Sequence, residues 1–305
     1  MEKSSRKALQ AQDSARAQVD AMNFIHFKTI DSTNAHALRL LDAEQNLRDL
    51  DQTVVAADEQ SAGRGRLNRA FYSPPKTGIY FTAIHAPKNP IQAPAKLTAA
   101  AAVAVCRSLE ELFNVDAKIK WVNDIYVAGK KVCGILAEGH IGAQGKIDAA
   151  AIGIGINIYP SDFPADIANR AGSILGRPDS FGESKDFSQG KNCAQAQEAA
   201  ASTDCKAANR ASDIRMELAR DISQKLFGLL QGCEQSADVW ETAAAEYAAR
   251  SFVIGKEITV IPVIGDDKSA YAATAIGIDK EARLLVRLDD GSERALSSGE
   301  ISIKI

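Results

Sequence analysis

Apolar positions along the chain fall into two patterns, a fourfold spacing and short β-rich runs. Leu97, Ala101, Val105, Leu109 and Phe113 recur every fourth residue and predict one long helix over 95–113. Ile214, Leu218, Ile222, Leu226 and Leu229 predict a second over 211–231, and a third spans 237–250 around Val239, Trp240 and Tyr247. Asp31-Ser32-Thr33-Asn34 supplies helix N-caps ahead of Ala37, Leu38, Leu40 and Leu41. Structured sequence begins near Phe24. Runs rich in Val, Ile, Phe and Tyr predict strands at 53–57, 78–85, 118–122, 131–138 and 146–158. Ala128-Gly129 and Gly142 to Gly145 read as hairpin turns.

From Ser251 the pattern is purely β. Short strands are predicted at 258–263, 269–277, 283–288, 293–296 and 301–305, with turns at Gly265-Asp266-Asp267 and Asp289-Asp290-Gly291. Five short strands in so few residues suggest a small barrel. The fold class is therefore α+β: a mixed or antiparallel sheet with segregated helices, followed by a small β-barrel. Residues 1–22 read as a flexible tail, 23–250 as the main domain and 251–305 as the C-terminal domain. A polar segment at 177–210 reads as a disordered or loosely helical surface insertion.

Charge and cysteine usage narrow the function. Thirty-six Lys and Arg against 39 Asp and Glu leave a formal charge of −3, which disfavours a protein that coats nucleic acid or an anionic membrane. Five cysteines without C-x-x-C spacing disfavour a disulfide scaffold or zinc ribbon and point to a reducing, cytoplasmic setting. The N-terminus shows charge but no apolar h-region of a signal peptide, and the longest apolar run, Ala99 to Cys106, is too short to span a membrane. His26, His36, His85 and His140 lack metal-site spacing, so no protein-bound metal is expected.

Four stretches carry chemistry. Gln60 to Arg69 places Arg64, Arg66 and Arg69 among Gly63 and Gly65, a flexible loop able to grip carboxylate or phosphate. No G-K-[ST] follows, so it is not a P-loop. Lys120-Trp121-Val122-Asn123-Asp124 ends a strand on a cation; Lys120 suits an anion, and Asp124 suits a donor or Mg²⁺. Gly153-Ile154-Gly155-Ile156-Asn157 puts glycines inside a strand, a mark of close approach to a ligand. Ser32, Thr33 and Asn34 offer polar groups at a helix N-terminus. Each also fits a structural reading: a solvated basic turn, a turn after a strand, a bulge, a helix cap.

Taken in order, S-T-N, Q-x-A-G-R-G-R, K-W-x-N-D, the strand Lys131 to Glu138 (K-x-x-G-I-L-x-E) and G-x-G-I-N resemble the biotin–protein ligases. The resemblance covers 24–305 apart from the insertion, and the C-terminal β segment fits the family's SH3-like domain. It implies activation of biotin by MgATP to biotinyl-5′-AMP, then transfer to a lysine of a biotin carboxyl carrier protein. It implies that Ser32, Thr33, Asn34 and Gln60 serve the biotin head. Arg64, Gly65, Arg66 and Lys120 would also touch biotin, with Gly153 and Gly155 in the sheet floor. Arg66, Arg69, Phe71, Lys120, Asn123 and Asn157 would serve the nucleotide, with Phe71 on the adenine side. Lys120, Arg64 and Arg66 would be the catalytic cations. Biotin, ATP and Mg²⁺ are the small molecules implied, and a homodimer is compatible.

Three features depart from the family pattern. Val122 stands where proline is usual, Leu67-Asn68 where Arg-Gly is usual, and Phe71 where Trp is usual. The segment before Phe24 is too short for an independent winged helix, so no operator binding is expected. Two rival readings remain at this point: a lipoate–protein ligase or octanoyltransferase, and a biotin sensor that makes no adenylate.

Overall fold

The computed structural model describes residues 22–176, 204–261 and 269–303. The expected tail, most of the 177–210 insertion and the turn at Gly265-Asp266-Asp267 lie outside them. Seven strands form the main sheet: β1 (Asn23–Phe27), β2 (Thr53–Ala57), β3 (Gly78–His85), β4 (Lys118–Lys120), β5 (Asp124–Val127), β6 (Lys130–Ile141) and β7 (Ile147–Asn157). Their spatial order is β1-β2-β3-β7-β6-β5-β4. Only β1 and β2 run parallel; the remaining neighbours are antiparallel.

The two faces of this sheet bury different layers because side chains alternate along a strand. Val54, Ala56, Phe81, Ala83, Ala150 and Ile152 point into the larger core. Val55, Ile84, Ala149 and Ala151 point into the smaller one, under α1 (Thr33–Ala43) and its Ala37 and Leu41. The larger core is covered by α2 (Pro94–Phe113). Pro94 opens α2 at its first turn, where the missing N–H costs nothing, and Asn114 closes it in the left-handed region. Residues Ala99 to Cys106 of α2 are buried on every side. The reason is a further layer: after the short α3 (Ala165–Ala168), α4 (Asp204–Gln235) and α5 (Ala237–Arg250) pack on the outer side of α2.

Two expectations need correction. The strand expected over 118–122 ends at Lys120; Trp121 to Asn123 form a turn with a cis Trp121–Val122 peptide, and β5 pairs straight back on β4. Trp121 and Val122 are apolar because they are buried in the core, not because they extend the strand. Helix α4 also starts at Asp204, inside the segment read as an insertion.

The C-terminal domain is a five-stranded antiparallel sheet, consistent with an SH3-like domain. Its strands are β8 (Glu257–Ile261), β9 (Tyr271–Ile278), β10 (Leu284–Arg287), β11 (Glu293–Leu296) and β12 (Glu300–Ile303), in the order β11-β10-β9-β8-β12. Val253, Ile258, Ala275, Leu284 and Ile301 join the larger core, so both domains share one hydrophobic interior. Trp121 Nε1 donates to the Ala282 carbonyl at 3.1 Å, and Trp240 Nε1 donates to the Lys280 carbonyl. These bonds fix the C-terminal domain beside the Lys120 turn.

Candidate functional site

A cleft of about 230 Å³ opens between α1, the loop 63–69, the Lys120 turn, strands β6 and β7, the 163–171 segment and the start of β12. Every candidate residue lines it: Ser32, Thr33, Asn34, Gln60, Arg64, Gly65 and Arg66, then Arg69, Phe71, Lys120 and Asn123, then Gly153, Gly155 and Asn157.

One end is neutral and rigid. Ser32 caps α1, accepting from the Ala35 N–H, so the capping role is realised within the cleft wall. Thr33 donates its N–H to Gln60 Oε1 at 2.8 Å, and Gln60 Nε2 donates to Ser73 Oγ at 2.9 Å. Asn34 Nδ2 donates to the Leu136 carbonyl at 3.1 Å and to Glu138 Oε2 at 2.9 Å. The fully buried Thr82 hydroxyl lies 2.6 Å from Asn34 Oδ1. Buried polar groups locked this way hold one geometry.

The strand glycines have steric reasons. A Cβ on Gly155 would meet the Phe71 ring at 2.4 Å, and one on Gly134 would meet it at 3.0 Å. Phe71 therefore lies across a glycine floor, edge-on to Tyr80 with ring centroids 6.3 Å apart.

The other end is cationic. The arginine loop closes on itself through Gly65 N–H to the Arg69 carbonyl at 2.8 Å and Phe71 N–H to the Gly63 carbonyl at 2.9 Å. Leu67 sits at φ 66°, ψ 33°, in the left-handed region that favours glycine. Arg64 pairs with Glu138 at 2.8 Å. Arg66 donates to Asn123 Oδ1 at 3.2 Å and to the Gly299 carbonyl at 3.3 Å. Arg69 forks onto both oxygens of Glu300, at 2.8 and 2.6 Å, and holds that carboxyl below its ordinary pKa. Asn123 and Asn157 also brace backbone, donating to the Ile135 and Gly172 carbonyls. Lys120 ends β4 half-buried, and burial pulls its pKa below the ordinary lysine value although Asp124 opposes the shift. Burial lowers Arg66 in the same sense.

Three charged residues that the sequence reading does not single out as site residues also line the cleft: Lys131, Arg170 and Glu300. Lys131 was visible as the first residue of K-x-x-G-I-L-x-E; Arg170 and Glu300 stand in no motif. Asp124 ion-pairs with Lys131 at 2.6 Å, so it orients a donor. Among the described residues no group of three or more His, Cys, Asp or Glu could hold a metal ion, and no helix is long and apolar enough to cross a membrane.

Comparison with known proteins agrees with this arrangement. Residues 26–157 match the biotin/lipoate A/B protein ligase family, and residues 253–304 match the biotin protein ligase C-terminal domain. The chain belongs to the biotin protein ligase family. The bifunctional ligase/repressor BirA of Bacillus subtilis is 36% identical over 163 residues, 52% of this chain and 48% of that protein. The chain thus spans about half the length of that curated relative. The biotin–[acetyl-CoA-carboxylase] ligase of Mycobacterium tuberculosis is 27% identical over 278 residues, 88% of this chain and 85% of that protein. The structure of biotin protein ligase from Aquifex aeolicus in complex with biotin and ATP has the same fold, with a TM-score of 0.65 at 24% identity over 92% of this chain and 98% of that one. For a biotin protein ligase fold, the cleft lies where strand ends, a cationic loop and the C-terminal domain converge.

Proposed function

We propose that the chain is an ATP-dependent biotin–protein ligase that forms biotinyl-5′-AMP and transfers biotin to a lysine of a biotin carboxyl carrier protein. The observation that carries this reading is a single cleft with a rigid neutral end and a cationic end. A ureido head needs donors and acceptors at fixed positions, as Ser32, Thr33, Asn34 and Gln60 provide. A lipoyl or octanoyl chain makes no such demand. The match to the biotin protein ligase C-terminal domain favours biotin over those acyl groups as well.

In the first step a biotin carboxylate oxygen attacks the α-phosphorus of ATP, and the bond from that phosphorus to the bridging oxygen breaks, releasing pyrophosphate. Two anions must approach, so the barrier is largely electrostatic. Arg66, Lys120 and Lys131 supply positive charge around the Lys120 turn, with Arg64 paired to Glu138 beyond them. A preorganised donor of this kind is worth about 3 kcal/mol in the transition state. In the second step the carrier lysine amine attacks the acyl carbon. A C–N bond forms, the C–O bond to AMP breaks, and the amine gives up a proton. Arg69 and Phe71 serve the nucleotide, and Gly153, Gly155, Asn123 and Asn157 shape the floor and its edges. Mg²⁺ would enter on the nucleotide phosphates, its usual mode.

The same reading includes a cytoplasmic setting, in keeping with the free thiols Cys106, Cys133 and Cys233. No nucleic-acid role is included, and pairing of two copies along a sheet edge is compatible with it. Biotin-dependent pyrophosphate release from MgATP tests the proposal, with lipoate and octanoate as controls and a carrier domain added afterwards. Release with biotin alone, then transfer, is expected. Release only with lipoate, or biotin binding without release, would replace it with one of the rival readings.

A further inference from the structure

Six cations line the cleft, and three of them are paired: Arg64 with Glu138, Arg69 with Glu300, Lys131 with Asp124. Lys120, Arg66 and Arg170 form no ion pair among the described residues. Of these three, Arg170 is the exposed one. It stands on the solvent-exposed part of the lining.

Its position is held by backbone rather than by its own side chain. The Lys131 N–H donates to the Arg170 carbonyl at 2.8 Å, and the Gly172 N–H donates back to the Lys131 carbonyl at 2.9 Å. Lys130 Nζ adds a bond to the Asn169 carbonyl at 2.6 Å. The segment that carries Arg170 is therefore stapled to the start of β6, beside the floor. The Arg170 charge is felt at Lys120, Glu300 and Tyr126. That places it at the cationic end of the cleft, near Glu300, which Arg69 of the arginine loop holds.

We propose that Arg170 binds the β- and γ-phosphates of ATP and the pyrophosphate they become, supplying an unpaired charge on the exposed part of the cleft lining. This deepens the ligase reading and rests on it. Lys120 and Arg66 lie deeper and suit the α-phosphate, which stays with biotin after the first step. Arg170, solvated and unpaired, suits the group that leaves. A guanidinium fork matches phosphate oxygens in two-point contact.

The test compares Arg170→Gln and Arg170→Lys with the unmodified chain. KM for ATP and for biotin are measured in biotin-dependent ATP–pyrophosphate exchange, and binding of synthetic biotinyl-5′-AMP by calorimetry. Arg170→Gln is expected to raise KM for ATP and for pyrophosphate about tenfold, the usual weight of a charge-assisted hydrogen bond. Biotin KM and biotinyl-5′-AMP affinity are expected to stay within about twofold. Arg170→Lys is expected to restore part of the loss, since a lysine keeps the charge but not the fork. Unchanged KM for ATP in Arg170→Gln overturns the proposal. An equal loss of biotinyl-5′-AMP affinity overturns it too, by moving the contact to the group that stays. If the unmodified chain shows no biotin-dependent exchange, the ligase reading itself fails, which is a separate outcome.

Discussion

Asn34 fills the space that a side chain at Gly153 would need. A Cβ built on Gly153 would lie 2.0 Å from Asn34 Oδ1 and 2.7 Å from its Cγ. Asn34 has no room to yield, because Thr82, Leu136 and Glu138 all hydrogen-bond it. The strand glycine and the helix-start asparagine are therefore one device. Gly153→Ala should cost about 1–3 kcal/mol by overpacking, and should weaken biotin binding by displacing Asn34. Urea unfolding and calorimetric titration with biotin would show both effects. A variant that unfolds and binds like the unmodified chain would break the link between these residues.

The turn that carries Lys120 is clamped from outside. The buried Tyr247 hydroxyl donates to the Val122 carbonyl at 2.8 Å, the Phe252 N–H to the Ile119 carbonyl at 3.1 Å, and Trp121 Nε1 to the Ala282 carbonyl. Val122 stands where the family has a stiffening proline, so the clamp supplies rigidity that the sequence lacks. Tyr247→Phe keeps the ring and strands the Val122 carbonyl, a loss of about 1–3 kcal/mol. The expected kinetic result is a lower kcat for adenylation with KM for biotin nearly unchanged. Equal kcat at matched folded fraction would remove Tyr247 as a positioning residue.

Lys120→Met should leave folding intact, because the side chain is half-buried and makes no ion pair among the described residues. Adenylate formation should fall about a hundredfold, which corresponds to roughly 3 kcal/mol. Because burial lowers the Lys120 pKa, the unmodified enzyme should lose activity on the alkaline side before a free lysine would titrate. Single-turnover adenylation across the pH range reads both points. Turnover like that of the unmodified chain in Lys120→Met would shift the catalytic assignment to Lys131 and Arg66.

Acid stability has a named contributor. Burial alone would raise the Glu246 pKa, but hydrogen bonds from Arg107 and Arg250 outweigh it and hold the carboxyl below its ordinary 4.5. A depressed carboxyl stabilises fully above the unfolded value, and that stabilisation is lost as pH falls through the folded one. The chain should therefore lose stability below about pH 4.5, and Glu246→Gln should flatten that dependence while lowering stability at neutral pH. Unfolding midpoints at pH 7 and pH 3 test this; equal slopes for both proteins would exclude Glu246 as a contributor.

Much of the fold was legible because periodicity is a local property. The fourfold spacing in α2 follows from where side chains point along a helix, and β2, β3 and β7 were legible as short runs rich in β-branched and aromatic residues. The motifs were legible for a similar reason: each lies within one turn or one strand, and their order along the chain survives without coordinates. The strand over 118–122 was misread because Trp121 and Val122 are apolar for a tertiary reason, packing under Tyr247 and against the C-terminal domain.

What the chain by itself determined was the two-domain α+β layout, the family and the set of polar residues that converge on one cleft. What only the tertiary structure decided was how their charges are balanced. Arg69 meets Glu300 across the domain boundary, Lys131 meets Asp124 across a strand pair, and Arg170 meets no carboxylate among the described residues. Pairing depends on distances between residues far apart in sequence. No local pattern encodes those distances, and they decide which cations remain free for phosphate.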